Sequence, residues 1–130
     1  MNEFGPKDYP HAELTKKVIG AAISVQKHLK PGLDEKLYER AMCIELGELG
    51  IPFEQQAKFP VHYKGHFVGK PVPDLVVENK LVVDTQVVAA FTPVHEAQIL
   101  GYLAVTGCQV GLLLNFKTIP LGKKRIIKTR

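Results

Sequence analysis

The chain has 130 residues, 45% hydrophobic and 23% charged, which fits one domain with a real core and an ordinary globular composition. A net charge of +4 and a pI of about 9.1 are compatible with a polyanionic partner without requiring one. No apolar run approaches the ~20 residues of a membrane span, and the opening Met1-Asn2-Glu3-Phe4-Gly5-Pro6 lacks the basic-then-apolar order of a secretory signal. The expectation is therefore a cytoplasmic protein, with no membrane partner.

Residues from about Glu13 to Leu29 carry Leu14, Val18, Ile19, Ala22, Val25 and Leu29 at helical spacing, and Lys30-Pro31-Gly32 stops the helix. Asp34 is placed to cap a second helix through Leu37, Tyr38, Ala41, Met42, Ile44 and Leu49, with Gly50 just past its end. The period then changes. Phe53 to Phe59 reads as a strand, and Val61 to Val68 as a hairpin turning at Lys64-Gly65. His62 and His66 flank that turn and read as surface residues, although a zinc pair is an alternative.

Two short apolar strands follow, Pro73 to Glu78 and Leu81 to Val88. Thr92-Pro93 starts a third helix that runs to about Val105 and ends at Gly107. Val110 to Phe116 is a buried strand, and Arg125-Ile126-Ile127 a last, shorter one. A strand–helix–strand step calls for a parallel, right-handed crossover. The predicted architecture is α/β: one domain, with a mixed central sheet flanked by helices. Cys43 and Cys108 form no Cys-x-x-Cys and read as two buried thiols. Lys123, Lys124, Arg125, Lys128 and Arg130 concentrate charge near the end, either as a lysine-protected edge strand or as a nucleic-acid contact.

The chemistry centres on the paired apolar strands. A turn centred on Asn79 sets Asp74 opposite Asp84, with Cβ atoms roughly 5 Å apart on one face. Carboxylates that close repel, and a divalent cation relieves them; the alternative is that each pairs with a lysine or caps a turn. Gln86 projects from the same face as Asp84. Glu35 lies in the first turn of the second helix, where acids favour the helix dipole. Gln98 and Tyr102 share one face of the third helix, and Gly101 beside them would let that helix approach the sheet.

Together these positions carry a resemblance. Gly32-Leu33-Asp34-Glu35-Lys36-Leu37-Tyr38 fits Gly-x-x-Glu-x-x-Tyr. Gly50-Ile51-Pro52-Phe53, Asp74-Leu75-Val76-Val77, Pro93 to Gln98, Gly101-Tyr102-Leu103 and Gly111 to Phe116 follow in order. The chain resembles the GxxExxY family, itself similar to a minimal PD-(D/E)XK, or restriction-endonuclease-like, nuclease. The resemblance divides the chain into an extension, residues 1–12, and a nuclease-like domain, residues 13–130. It implies Asp74 and Asp84 as the two motif acids, Glu35 as an additional metal or water ligand, and Gln98 and Tyr102 as a Gln-x-x-x-Tyr pair that positions the site. It also implies Mg²⁺ or Mn²⁺ as cofactor and DNA or RNA as partner.

Two positions depart from the pattern. Gln26 stands where histidine is expected, and Gln86 stands at the motif lysine. That lysine orients the attacking water and offsets charge growing on the phosphorus, so its loss predicts slow or absent cleavage. No nearby lysine clearly replaces it; Lys70 and Lys80 would both have to reach back. The second expectation is a catalytically dead nucleic-acid-binding or self-assembling module, a homo-oligomer, of the same fold.

Overall fold

The computed structural model describes residues 9–128. The Met1–Pro6 reading, most of the 1–12 extension and Arg130 lie outside the described residues. The elements are α1 (Ala12–His28), α2 (Glu35–Glu48), β1 (Phe53–Gln55), β2 (Val61–Tyr63), β3 (His66–Gly69), β4 (Leu75–Val77), β5 (Leu81–Gln86), α3 (Pro93–Thr106), β6 (Val110–Asn115) and β7 (Gly122–Ile127).

Five strands form one sheet in the order β1-β4-β5-β6-β7, with β5 and β6 parallel and every other pair antiparallel. The helical crossover α3 makes the parallel pair possible, as the strand–helix–strand order requires. Residues 81–83 of β5 and 110–114 of β6 are apolar because helices cover both faces. On one face Leu81, Val83, Leu112 and Leu114 pack with Val18, Ala22, Met42 and Leu46 of α1 and α2. On the other, Val82 and Leu113 pack with Ile99 and Leu103 of α3. Among the described residues no helix is long and apolar enough to cross a membrane.

The Gly-x-x-Glu-x-x-Tyr segment is a single local device. Gly32 has φ +117°, a conformation that strains any L side chain. The fully buried Tyr38 stacks on Phe116 at 4.7 Å between ring centroids. Its hydroxyl donates to Lys30 O at 2.7 Å and accepts Leu33 N–H at 3.1 Å. The loop entering α2 is thus tied to the sheet, which fixes where Glu35 starts the helix.

Several expectations change. Asp34 holds the N-cap position of α2 but makes no side-chain cap bond. The first predicted strand shrinks to β1, because Gln56 turns into the left-handed region at φ 56°. Asp74 precedes β4 and β5 ends at Gln86, so both strands are shorter than their apolar runs. β7 is longer than predicted. Cys108 is buried but Cys43 only half-buried, and both are free. Gly101 is exposed with open space around it. The close approach of α3 occurs instead at Gly111 of β6, where an added Cβ would meet Ile99 Cγ1 at 2.7 Å. At the β7 edge, Lys124 pairs with Glu96 and the Arg125 guanidinium lies 4.2 Å from the Tyr9 ring centroid, so two of those charges have internal partners.

Candidate functional site

The β4–β5 register pairs Leu75 with Val83, Val76 with Val82 and Val77 with Leu81. Extended one step, it sets Asp74 opposite Asp84, as the turn centred on Asn79 predicts. Val82 faces α3, so strand alternation sends Asp84 and Gln86 to the α3 side and Thr85 to the α1–α2 side.

Asp74 is held from three directions. Its Oδ2 accepts Thr85 N–H and Thr85 Oγ1–H, each at 2.9 Å. Its Oδ1 accepts Gln56 Nε2 at 3.3 Å. The carboxylate thus satisfies a backbone donor of β5 just where Pro73 and the bend at Asp74 end the β4 ladder.

Asp84 is 4% exposed, and its Oδ2 accepts Gln86 Nε2 at 2.7 Å. Burial, then the charge and hydrogen bond of Asp74, push its carboxyl up to about 8, against the lowering effect of Gln86. Asp84 and Asp74 thus lie close enough for each charge to oppose the other, and burial makes that opposition felt at Asp84.

Burial and the charges of Asp84 and Asp74 also raise the Tyr102 phenol, which places Tyr102 within electrostatic reach of the acids. Gln98, one turn earlier, is exposed. Burial and the charges of Asp74, Asp34 and Glu39 raise Glu35, with Lys36 opposing. The structure thus gathers Asp74, Asp84, Gln86, Glu35 and Tyr102 at one end of the sheet and leaves Gln98 at its rim.

A buried neighbour was not evident from sequence. Glu39, 2% exposed, accepts Lys36 Nζ at 3.1 Å, Gln55 Nε2 at 2.8 Å and Gln56 Nε2 at 2.9 Å. Burial opposes its ionisation, but these bonds outweigh burial and its pKa falls below the usual glutamate value. Gln56 bridges Glu39 to Asp74. The available signal was spacing: Glu39 is four residues beyond Glu35, on the same helix face. Lys36 is the lysine beside the acids, but it is bound to Glu39, whereas Lys80 sits 3.8 Å from Glu78 at the turn.

Whether this donor set suits a hard cation can be tested on its oxygens. Asp74 commits Oδ2 to Thr85 and Oδ1, at 3.3 Å, to Gln56, and Asp84 commits Oδ2 to Gln86, so Asp84 Oδ1 and the weakly bonded Asp74 Oδ1 are the oxygens best able to meet a cation. Its charge would relieve the repulsion that raises Asp84. Among the described residues no three His, Cys, Asp or Glu side chains form a ready-made metal cage, so Glu35 does not close one. Mg²⁺ needs none: it binds through one or two carboxylates and takes water and phosphate oxygens for the rest. The residues fit such an ion.

The sequence pattern of the PD-(D/E)XK nuclease superfamily matches residues 12–128, nearly the whole chain. The chain belongs to the PD-(D/E)XK nuclease superfamily. The mixed five-strand sheet with helices on both faces is consistent with the superfamily fold. The crystal structure of SSO0001 aligns with a TM-score of 0.50 at 12% identity, covering 88% of this chain and 77% of that one, a likeness of fold alone. No curated protein matches the chain. PD-(D/E)XK nucleases generally use divalent metals, which agrees with a site of facing carboxylates.

Proposed function

We propose that this chain is a slow, Mg²⁺- or Mn²⁺-dependent phosphodiester hydrolase acting on nucleic acid. The carrying observation is the pair Asp74 and Asp84, the second of them buried and its carboxyl raised by burial and by Asp74 beside it. The superfamily membership supplies the substrate class. The Gly32-x-x-Glu35-x-x-Tyr38 segment supports a likeness to the GxxExxY proteins within that superfamily.

Asp74 and Asp84 would hold the cation, and Glu35 would act one water molecule further out. The ion would polarise the phosphodiester and generate a nucleophile from water. Thr85 and Gln56 hold Asp74 in orientation. Tyr102 and Gln98 would line the α3 side of the entering strand. Gln86 occupies the place of the charged group that stabilises negative charge on the phosphorus. Its amide is aimed at Asp84, so it contributes a dipole but no charge there.

That aim also supports a second reading, a protein that binds nucleic acid and metal without turnover. Cleavage of single- and double-stranded DNA and RNA with Mn²⁺ separates them. Slow wild-type cleavage, accelerated by Gln86→Lys, supports the hydrolase. If the wild type and Gln86→Lys are both inert on all four substrates, the hydrolase reading fails.

A further inference from the structure

The β2–β3 hairpin is not a separate ornament but the outer half of one long ribbon. β1 and β4 pair Phe53 with Val77 and Gln55 with Leu75. Gln56 N–H then donates to Asp74 O at 2.9 Å, and Phe59 N–H to Pro71 O at 3.1 Å. Val61 pairs with Gly69 in the same register before a shift at His62. Lys64 and Gly65 close the tip at φ 49° and 82°, the left-handed pair of a tight hairpin turn. The nine residues from Gln56 to Lys64 give the arm a reach of about 25 Å at strand rise. Its base is therefore the bend that holds Asp74.

The arm is built for a partner. A two-stranded ribbon is marginal by itself in water, yet Tyr63, Phe67 and Val68 are 63%, 59% and 62% exposed. Between Glu54 and Asp74 the sequence holds no acid, while Lys58, Lys64, Lys70, His62 and His66 supply cations or potential cations. The Lys64 ammonium lies 5.4 Å from the Tyr63 ring centroid, and His62 meets Phe67 edge-on at 5.8 Å. A second copy of an acid-free arm would set like charges together, whereas a polyanion would neutralise them. Exposed flat rings between lysines match unpaired bases joined by phosphates.

We propose that the arm, residues 57–72, binds single-stranded nucleic acid: Tyr63 and Phe67, on opposite faces of the ribbon tip, each stack a base, and Lys58, Lys64 and Lys70 follow the phosphates toward Asp74. The inference rests on the nucleic-acid reading above and assigns the element that captures the strand. The test is fluorescence anisotropy with labelled oligothymidylate and a mixed-sequence duplex of about 20 nucleotides, without divalent metal, so that nothing is cut. Tyr63→Ala and Phe67→Ala should each weaken single-strand binding about tenfold and duplex binding less. Lys64→Glu should also weaken it and flatten its salt dependence. Circular dichroism of each variant should match wild type, because these side chains lie outside the core. If the wild type binds the strand and the double aromatic variant binds it equally well, the arm assignment falls while the nucleic-acid reading stands. If the wild type binds neither oligonucleotide, both fall. A change in oligomeric mass with unaltered binding would also overturn the assignment, in favour of self-association.

Discussion

Glu39 and Asp84 are buried to nearly the same extent, 2% and 4% exposed, yet their surroundings push them in opposite directions. Glu39 is ringed by donors from Lys36, Gln55 and Gln56 and is held ionised. Asp84 lies beside another carboxylate, receives one amide, and its carboxyl is pushed up to about 8. Burial is common to both, so burial alone marks neither as functional. The difference lies in whether the fold has already satisfied the charge. Glu39 is a finished ion pair and hydrogen-bond network; Asp84 has one amide donor and a carboxylate neighbour.

The largest effect that would break this contrast is at the metal. Asp84→Ala should abolish Mn²⁺ binding at the acids by calorimetry and abolish metal-dependent cleavage. Glu39→Gln should leave Mn²⁺ stoichiometry unchanged; if it removes Mn²⁺ binding as completely, the two acids do not differ in role. Next, Gln86→Lys gives Asp84 a charged partner. Cleavage should rise on the order of 10²–10³, the size expected for one donor aimed at transition-state charge.

Stability supplies the third comparison. Glu39→Ala strands the Lys36 ammonium and the Gln55 and Gln56 amides beside a gap. It should cost about 2 kcal/mol in urea unfolding at neutral pH. Asp84→Asn removes a group that opposes Asp74 and should be neutral or stabilising without metal.

The pH profiles should carry opposite signs. Asp84 titrates near 8 when folded and near 4 when unfolded, so the native state holds a proton the unfolded chain has lost. Its contribution is full below about pH 4 and is lost as pH rises to about 8. Glu39 is lowered, so its contribution is present above the unfolded glutamate pKa and is lost as pH falls through the folded one. Metal-free Asp84→Asn should remove the fall in stability between about pH 4 and about pH 8, and Glu39→Gln should flatten the curve on the acid side. Matching slopes for the two variants would refute the assignment.

A last pair of glycine substitutions tests the packing of α3 on the sheet. Gly111→Ala would press a Cβ to within 2.7 Å of the Ile99 side chain, costing about 1–3 kcal/mol in thermal unfolding. Gly101→Ala meets open space in a helix and should be neutral or slightly stabilising.

Much of this was legible in the chain. Helical periodicity marked the helices, and Thr92-Pro93 and Gly107 bounded the third, with the His95 ring accepting Thr92 N–H at 2.9 Å. The opposition of Asp74 and Asp84 followed from the turn at Asn79, because a two-residue alternation leaves one register once a turn is fixed. Strand ends were less legible. Apolar runs continue into Val87 and Val88 although pairing stops at Gln86, since the ladder depends on the neighbouring strand. Gly101 misled for a similar reason: which glycine meets a helix depends on how that helix crosses the sheet, and the crossing selects Gly111.

Sequence alone therefore determined the elements, their order and the facing acids, because these depend on local spacing and turn chemistry. Tertiary structure alone decided what surrounds each acid. Glu39 meets Gln55 and Gln56 through the docking of α2 on β1, Lys36 is drawn to Glu39, and Asp84 is left beside Asp74. The charge of a buried carboxyl is set by desolvation and by donors on other elements, and no reading along the chain can count them.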